Sequence, residues 1–426
     1  MRVLIVNTSE RTGGAAVAAN RLMEALNNNG VKARMLVRDK ETTHPAVIGI
    51  GSGWRAQLPF LWERLCIWVR LRFKRQRLFE VDIANAGLDI TRTRAFREAD
   101  VIHLHWVNQG MLSLRGIRRI LDSGKPVVWT MHDAWPSTAI CHLTFDCRRY
   151  EQRCCHCPLL PGGGSESDVA AQTWRRKEQM LHNRSIRFVA CSQWLAEAAR
   201  HSALLSGQSV GQIPNPIDTR LYRPLPDRRK ARIDAGLPED GRIILFVSQR
   251  ATNPYKGMDY LVEACRLLAA EHPELLADTT LGILGGHSEE VVGQLPFRAV
   301  ALGYVNDEHR IVGIYNAADV FVLPSLSENL PNTIMEAMAC GVASVAFRVG
   351  GIPEEIDHRQ TGYIADYRDA ADLARGLHWV LCEADRDTLR RQCLSKVARS
   401  YSQQSVALRY IEEYERAMRP QERKKQ

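Results

Sequence analysis

The sequence predicts an α/β protein made of two doubly wound, Rossmann-like parallel-sheet domains facing a central cleft. Short apolar, strand-like runs alternate with helical patterns along the whole chain, and several of these runs end in glycine- or histidine-bearing turns. The length of 426 residues, 45% of them hydrophobic, is enough for two cores. Strands separated by helices favour parallel sheets covered on both faces over a β-sandwich. No internal repeat is present, and the basic tail at residues 423–425 is the one low-complexity segment. The chain opens on a strand-like run, residues 1–7, rather than a signal peptide, and it has no uninterrupted apolar stretch of about 18 residues, so a cytoplasmic protein is expected.

After the first strand, Gly13 and Gly14 precede a helix running to about Leu26. A glycine pair there lets the backbone approach a bound phosphate or sugar; an ordinary connecting turn is the bland alternative. In residues 54–79, Arg55, Arg64, Arg70, Arg72, Lys74, Arg75 and Arg77 interleave with Leu58, Trp62, Leu65, Trp68, Leu71 and Phe73. On a helix, the apolar positions 58, 61/62, 65 and 68 share a face flanked by guanidinium groups. That face either lies on an anionic membrane surface or packs into the core of an ordinary domain. Two strand ends follow, at residues 101–106 and 126–133. Ligands of open α/β sheets sit beyond the carboxyl ends of strands, so His105, His132 and Asp133 are expected to face the cleft, with Asp133 orienting the His132 ring or holding an acceptor hydroxyl. His103, within its strand, reads as a hydrogen-bonded core residue.

Five of the eleven cysteines fall between Cys141 and Cys157. Cys141, Cys147, Cys154 and Cys157 form a C-x5-C-x6-C-x2-C pattern, four thiolates able to close around a tetrahedral zinc, with Cys155, His142 and His156 as substitutes. Free thiols and redox bridges are the alternatives, although disulfides are disfavoured in a cytosolic protein. Ser192 is placed to cap a helix after the last strand of the first domain, and a polar, Pro-rich linker runs from residue 213 to about 240.

The second half repeats the alternation. A buried strand at 243–248 leads into the basic loop 249–257, with Arg250 and Lys256; a strand and glycine turn at 281–286 carries Gly285; and residues 299–305 form a further wall. A strand at 319–324 is followed by a loop with Glu328, Asn329 and Leu330, then a helix with Pro331 in its first turn, Glu336 in its body and Gly341 at its end. Amides at a helix start favour an anion such as a diphosphate, and acceptor-only carboxylates suit sugar or ribose hydroxyls. An isolated Glu pair would more often be a cap and a solvated residue. The apolar neighbours Ile334, Met335, Ala337 and Met338 instead pack this helix inside a layer, where a buried Glu needs a partner. Asp385 and Asp387 sit in a polar helical tract and read as solvated surface residues. A final amphipathic helix spans 408–418.

With these residues in place, the chain resembles the family-4 retaining glycosyltransferases of the GT-B fold, whose Glu-x7-Glu motif is matched by Glu328 and Glu336. The resemblance implies that Arg250 and Lys256 grip a diphosphate leaving group, that Glu336 binds the ribose, and that Glu328 and His132 flank the donor sugar. It assigns Gly13, Gly14, Gly285, Asn329 and Leu330 to the donor site. The run from His132 to Cys141 and its cysteines resembles the colanic-acid and capsular polysaccharide branch, although Ala139 and Ile140 replace that branch's glycine pair. The implied domains are residues 1–212 on the acceptor side, 213–400 on the nucleotide-sugar side, and a tail, 401–426, whose helix returns to the first domain. The implied reaction moves a hexosyl group from a nucleoside diphosphate sugar to a glycan, expected to be undecaprenyl-linked, at the inner face of the cytoplasmic membrane. It needs no catalytic cofactor; zinc would be structural. The net charge of +9 fits an anionic donor or membrane, and no recognition module points to nucleic acid. A nucleotide-sugar epimerase or hydrolase and a non-catalytic scaffold on the same fold are the rival readings.

Overall fold

The computed structural model describes residues 1–51 and 53–419; the basic tail and the side chain of Arg55 lie outside the described set. The chain divides into two compact units, Met1–Pro216 with the chain from Val406 onward, and Ile217–Ser405. The divisions fall a few residues beyond positions 212 and 400.

In chain order the first unit holds β1 (Arg2–Ser9), α1 (Gly14–Asn28), β2 (Lys32–Asp39), β3 (Val47–Gly49), α2 (Trp54–Arg70), α3 (Arg94–Glu98), β4 (Val101–Leu104), α4 (Leu114–Asp122), β5 (Val127–Met131), α5 (Val169–Leu181), β6 (Arg187–Ala190), α6 (Gln193–His201) and β7 (Ser209–Gln212). The strands form one parallel sheet in the order β3-β2-β1-β4-β5-β6-β7. The order reverses between β1 and β4, which opens a crevice beyond the carboxyl ends of those strands.

The second unit holds α7 (Arg228–Asp234), β8 (Arg242–Arg250), α8 (Met258–Glu271), β9 (Thr279–Gly286), β10 (Arg298–Gly303), α9 (Glu308–Ala317), β11 (Val320–Leu323), α10 (Asn332–Ala339), β12 (Ala343–Phe347), α11 (Ile352–Glu355), β13 (Gly362–Ala365), α12 (Ala370–His378) and α13 (Arg386–Ser400). Its parallel sheet runs β10-β9-β8-β11-β12-β13, with the reversal between β8 and β11. The last helix, α14 (Gln403–Met418), begins in the second unit and continues into the first.

Local chemistry sets the helix starts. The side chains of Ser113, Asp168, Ser192, Asp307 and Asp369 each accept a backbone N–H from the first turn of the helix that follows. Asp385 does the same for α13, so the Asp385–Asp387 pair is a helix cap rather than a cation site. Central strands such as β4, β5, β11 and β12 are buried on both faces, as expected of parallel sheets covered by helices. One face of the first sheet is closed by α1 and by Val406, Ala407, Tyr410 and Tyr414 of α14, which pack with Val3, Ile5, Val101 and Val128. His103 is fully buried there, with Nδ1 2.7 Å from the Tyr414 hydroxyl and Nε2 2.7 Å from the Thr130 hydroxyl.

The segment 54–79 departs from a single helix. α2 ends at Arg70, and Arg72, Phe73 and Arg77 take left-handed backbone angles in the turns that follow. Its polarity is inverted as well: Trp54, Leu58, Leu61, Trp62, Leu65 and Val69 are exposed, while Glu63 and Arg64 are buried. Glu63 Oε1 accepts from the backbone N–H groups of Ile83 and Ala84, and Arg64 pairs with buried Asp82 at 2.9 Å. The turn that follows α2 thus supplies the polar partners that anchor the helix, and the apolar stripe is left outside.

Candidate active site

In the second unit the loops that follow β8 and β11 meet at the strand-order reversal. Lys256, in the loop after β8, forms an ion pair with Glu328, in the loop after β11. The two loops are held face to face by the backbone: Leu326 N donates to Tyr255 O at 2.8 Å. Gly257 has a left-handed φ of 70°, and a Cβ there would lie 1.8 Å from the Pro324 carbonyl oxygen. A Cβ at Gly350 would lie 1.7 Å from the carbonyl oxygen of Glu328. Both positions therefore require glycine, and both fix the main chain that presents Glu328.

Glu336 sits in α10 and is 8% exposed. The Tyr315 hydroxyl donates to its Oε2 at 2.9 Å, which supplies the partner a buried carboxylate needs. Burial first, and then the Glu336 charge, raise the Tyr315 hydroxyl well above its ordinary value, so it stays a donor. Pro331 immediately precedes α10 instead of occupying its first turn, and the helix runs from Asn332 to a left-handed Gly341. Asn329 O accepts from Gly351 N at 2.9 Å, and Leu330 is buried. Gly285, at the end of β9, packs against the Ser248 carbonyl, and Arg250 projects from the exposed end of β8.

Glu355 had no signal in the sequence. It is fully buried, both its carboxylate oxygens lack a hydrogen-bond partner, and burial with the nearby Glu328 charge raises its pKa well above the usual range. A Glu in a short helix after a Gly-Gly turn resembles any solvated Glu; only the packing of that turn against Glu328 reveals it.

In the first unit, Gly13 precedes α1 with φ 91°, and a Cβ there would meet nothing within 4 Å. The loop after β5 carries a histidine network. His132 Nε2 lies 2.9 Å from His105 Nδ1, and its Nδ1 lies 3.5 Å from Cys191 Sγ. Asp133 does not orient this ring. Its carboxylate accepts from Trp106 Nε1 at 2.8 Å and faces His142 Nδ1 at 2.7 Å, because its backbone turns the side chain toward Trp135 N, a further donor at 2.9 Å. His105 is 3% exposed, so it supports His132 from behind instead of facing solvent. Burial lowers His132 to about 4, partly opposed by Asp133, and holds it neutral at pH 7. Burial alone would lower His142, but Asp133 outweighs it and raises the ring above its ordinary value.

The cysteine segment contains no disulfide, and all its thiols are free. Among the described residues, the sets of three ligand atoms lying within 4.8 Å of one another are Cys155–His156–Glu166 and His287–Glu289–Glu290; Cys141, Cys147, Cys154 and Cys157 are not such a set. Burial pushes Cys154 and Cys157 up to about 12, so both are neutral thiols at pH 7.

Two sheets with Rossmann-like order, and polar loops at the reversal of each, define a GT-B protein. Solved structures agree on the fold. A glycosyltransferase from Rickettsia africae superposes with a TM-score of 0.65 at 16% identity, over 98% of both chains. Anabaena HepE, crystallised with UDP-glucose, gives 0.64 at 16% identity, over 98% of this chain and 100% of that one. The model of Glycosyltransferase Family 4 matches residues 12–221, and that of Glycosyl transferases group 1 matches residues 241–383. Over those two stretches the chain is similar to the glycosyltransferase domains that these models describe. A D-inositol 3-phosphate glycosyltransferase of Corynebacterium efficiens is 25% identical over 350 residues, 78% of this chain and 75% of that protein. Another, from Catenulispora acidiphila, is 32% identical over 191 residues, 42% of this chain and 44% of that protein. The chain spans about half the length of relatives such as the latter.

Proposed function

We propose that the protein is a retaining glycosyltransferase that moves a hexosyl group from a nucleoside diphosphate sugar to a glycan hydroxyl. The observation that carries this reading is the pair of carboxylates presented at the β8/β11 reversal, Glu328 against Lys256 and buried Glu336 against Tyr315. Glu336 binds the ribose hydroxyls. Lys256 and Arg250 stabilise the departing diphosphate, with amides at the start of α10 beside them. Glu328 and His132 flank the donor sugar. The departing phosphate itself takes the acceptor proton, so no protein nucleophile is needed, and catalysis is positional and electrostatic. The neutral state of His132 suits a hydrogen-bonding role rather than that of a fixed cation.

The acceptor in this proposal is undecaprenyl-linked, and the pathway builds a cell-surface polysaccharide, as in the colanic-acid and capsular branch. The exposed apolar stripe of α2, followed by the basic residues Arg70, Arg72, Lys74, Arg75 and Arg77, supports docking on an anionic lipid surface. Among the described residues no helix is long and apolar enough to cross a membrane.

The test is ligand-induced thermal stabilisation against a panel of nucleoside diphosphates and their sugars, UDP-glucose included, with Glu336→Ala and Lys256→Ala in parallel. One nucleotide at about a hundred times its Kd should stabilise the wild type by about 2.7 kcal/mol, and both substitutions should abolish the shift. Acceptors are then screened with that donor, D-inositol 3-phosphate among them because several relatives bear its name. Retention is read from the anomeric coupling of the product. Donor consumed equally fast without any acceptor would identify a hydrolase, and no stabilisation by any nucleotide would end the transferase reading.

A further inference from the structure

The two cations of the loop after β8 stand in different states. Arg250, at the exposed end of the strand, forms no ion pair among the described residues. Lys256 is committed to Glu328, and among the described residues it is the one donor that reaches the Glu328 side chain. The two side chains are 28% and 13% exposed, so water covers little of the carboxylate. Glu355, behind it, offers no substitute, since neither of its carboxylate oxygens has a hydrogen-bond partner.

The main chain fixes both members of the pair. Gly350 and Gly257 leave no room for a Cβ against the carbonyl oxygens of Glu328 and Pro324. Gly351 N donates to Asn329 O at 2.9 Å, and Leu326 N donates to Tyr255 O at 2.8 Å. The loop that carries Glu328 is thereby held on both sides of that residue. A ligand that draws Lys256 away leaves behind a largely shielded carboxylate with no donor, which is unfavourable unless the ligand itself supplies one.

That requirement separates two ligands of related chemistry. The diphosphate of a bare nucleoside diphosphate presents acceptor oxygens to Lys256 and nothing that donates to Glu328. A nucleoside diphosphate sugar adds hydroxyls, each able to donate to the vacated carboxylate. We propose that the Lys256–Glu328 pair makes Glu328 a specificity-determining residue, which disfavours the bare nucleoside diphosphate relative to its sugar. This rests on the donor site proposed above, where Glu336 takes the ribose hydroxyls and the sugar lies beside Glu328. The bare diphosphate is the product of transfer, so the same pair promotes its release: once the sugar has gone, Glu328 reclaims Lys256. Arg250 has no partner to surrender and holds both ligands alike.

The experiment is calorimetric titration of the full chain with UDP and UDP-glucose, GDP and GDP-mannose, and ADP and ADP-glucose. The pair that binds the wild type is then titrated into Glu328→Gln, Glu328→Ala and Arg250→Ala, each shown to be folded by its thermal unfolding without ligand. Glu328→Gln should bind the nucleoside diphosphate about fivefold more tightly, the effect of releasing a part-exposed ion pair. It should bind the sugar about tenfold more weakly, through loss of a hydrogen bond to a charged group. Glu328→Ala should shift both ligands in the same directions, and Arg250→Ala should weaken both by the same factor. Unchanged or weaker binding of the bare diphosphate by the two Glu328 variants would overturn the proposal while leaving the donor site in place. No binding of any nucleotide by the wild type would instead end the donor-site reading, and this inference with it.

Discussion

His103, His105 and His132 line up across β4 and β5, and burial holds all three below the ordinary histidine value: His103 to about 3, His132 to about 4, and His105 well below it. Their folded values are depressed, so between pH 6.5 and about 4 the unfolded chain binds protons on these rings that the native one does not, and the stability they contribute falls as pH falls through that window. His142 works in the opposite sense: its contribution is complete below pH 6.5 and is lost as pH rises through its raised folded value, so it does not offset the acid loss. These rings take up about three protons on unfolding near pH 5, while buried Glu63 and Glu355, held protonated in the native state, release protons there; denaturant unfolding at several pH values should show about one proton less uptake for His132→Asn than for the wild type. Proton uptake unchanged by His132→Asn would show that this ring is solvated in the native state.

α2 separates stability from surface function because its buried and exposed faces carry the opposite of the usual residues. Burial beside Asp82 pushes Glu63 up to about 9, so this residue is a neutral hydrogen-bonding group at pH 7. Asp82 keeps its charge against Arg64. Arg64→Met would leave Asp82 buried without its cation and should destabilise the protein by about 3–5 kcal/mol. Trp62→Glu and Leu65→Glu lie on the open face and should change stability by no more than about 0.5 kcal/mol, while sharply reducing co-sedimentation with vesicles containing anionic lipid. Equal vesicle binding by wild type and by these two variants would remove the membrane from the account of α2. The periodicity at 58, 61/62 and 65 is legible in the sequence. Which way it faces is not, since a stripe of Leu and Trp is what a core-facing helix also shows, and only the anchoring of Glu63 and Arg64 turns it outward.

At the scale of the whole molecule, the chain leaves its first unit at Pro216 and re-enters it at Val406, so the last helix completes a core that the first two hundred residues leave open. Truncation after Ser405 would expose Val3, Ile5, Val101 and Val128 and strip His103 of its Tyr414 partner. Tyr414→Ala should cost about 3–5 kcal/mol. Hydrogen exchange should show the loss in the first unit, with protection of β8 and β11 unchanged. Protection of β1 and β4 that survives the substitution would mean that α14 is not part of that unit's cooperative core.

The sequence by itself determined the α/β class, two parallel sheets and the helix that Gly341 ends, because each follows from short-range periodicity, capping and turn chemistry. It also predicted that a buried Glu336 must have a partner, without naming Tyr315, which lies 21 residues away on another helix. The tertiary structure alone decided that Asp133 turns to His142 instead of His132, that Glu355 lies unpaired behind Glu328, that Lys177 is buried against the Trp135 ring and that α2 faces outward. Each of these depends on which side chains distant parts of the chain bring together and shield from water. Burial and charge compensation are properties of that packing, and no local window of sequence contains them.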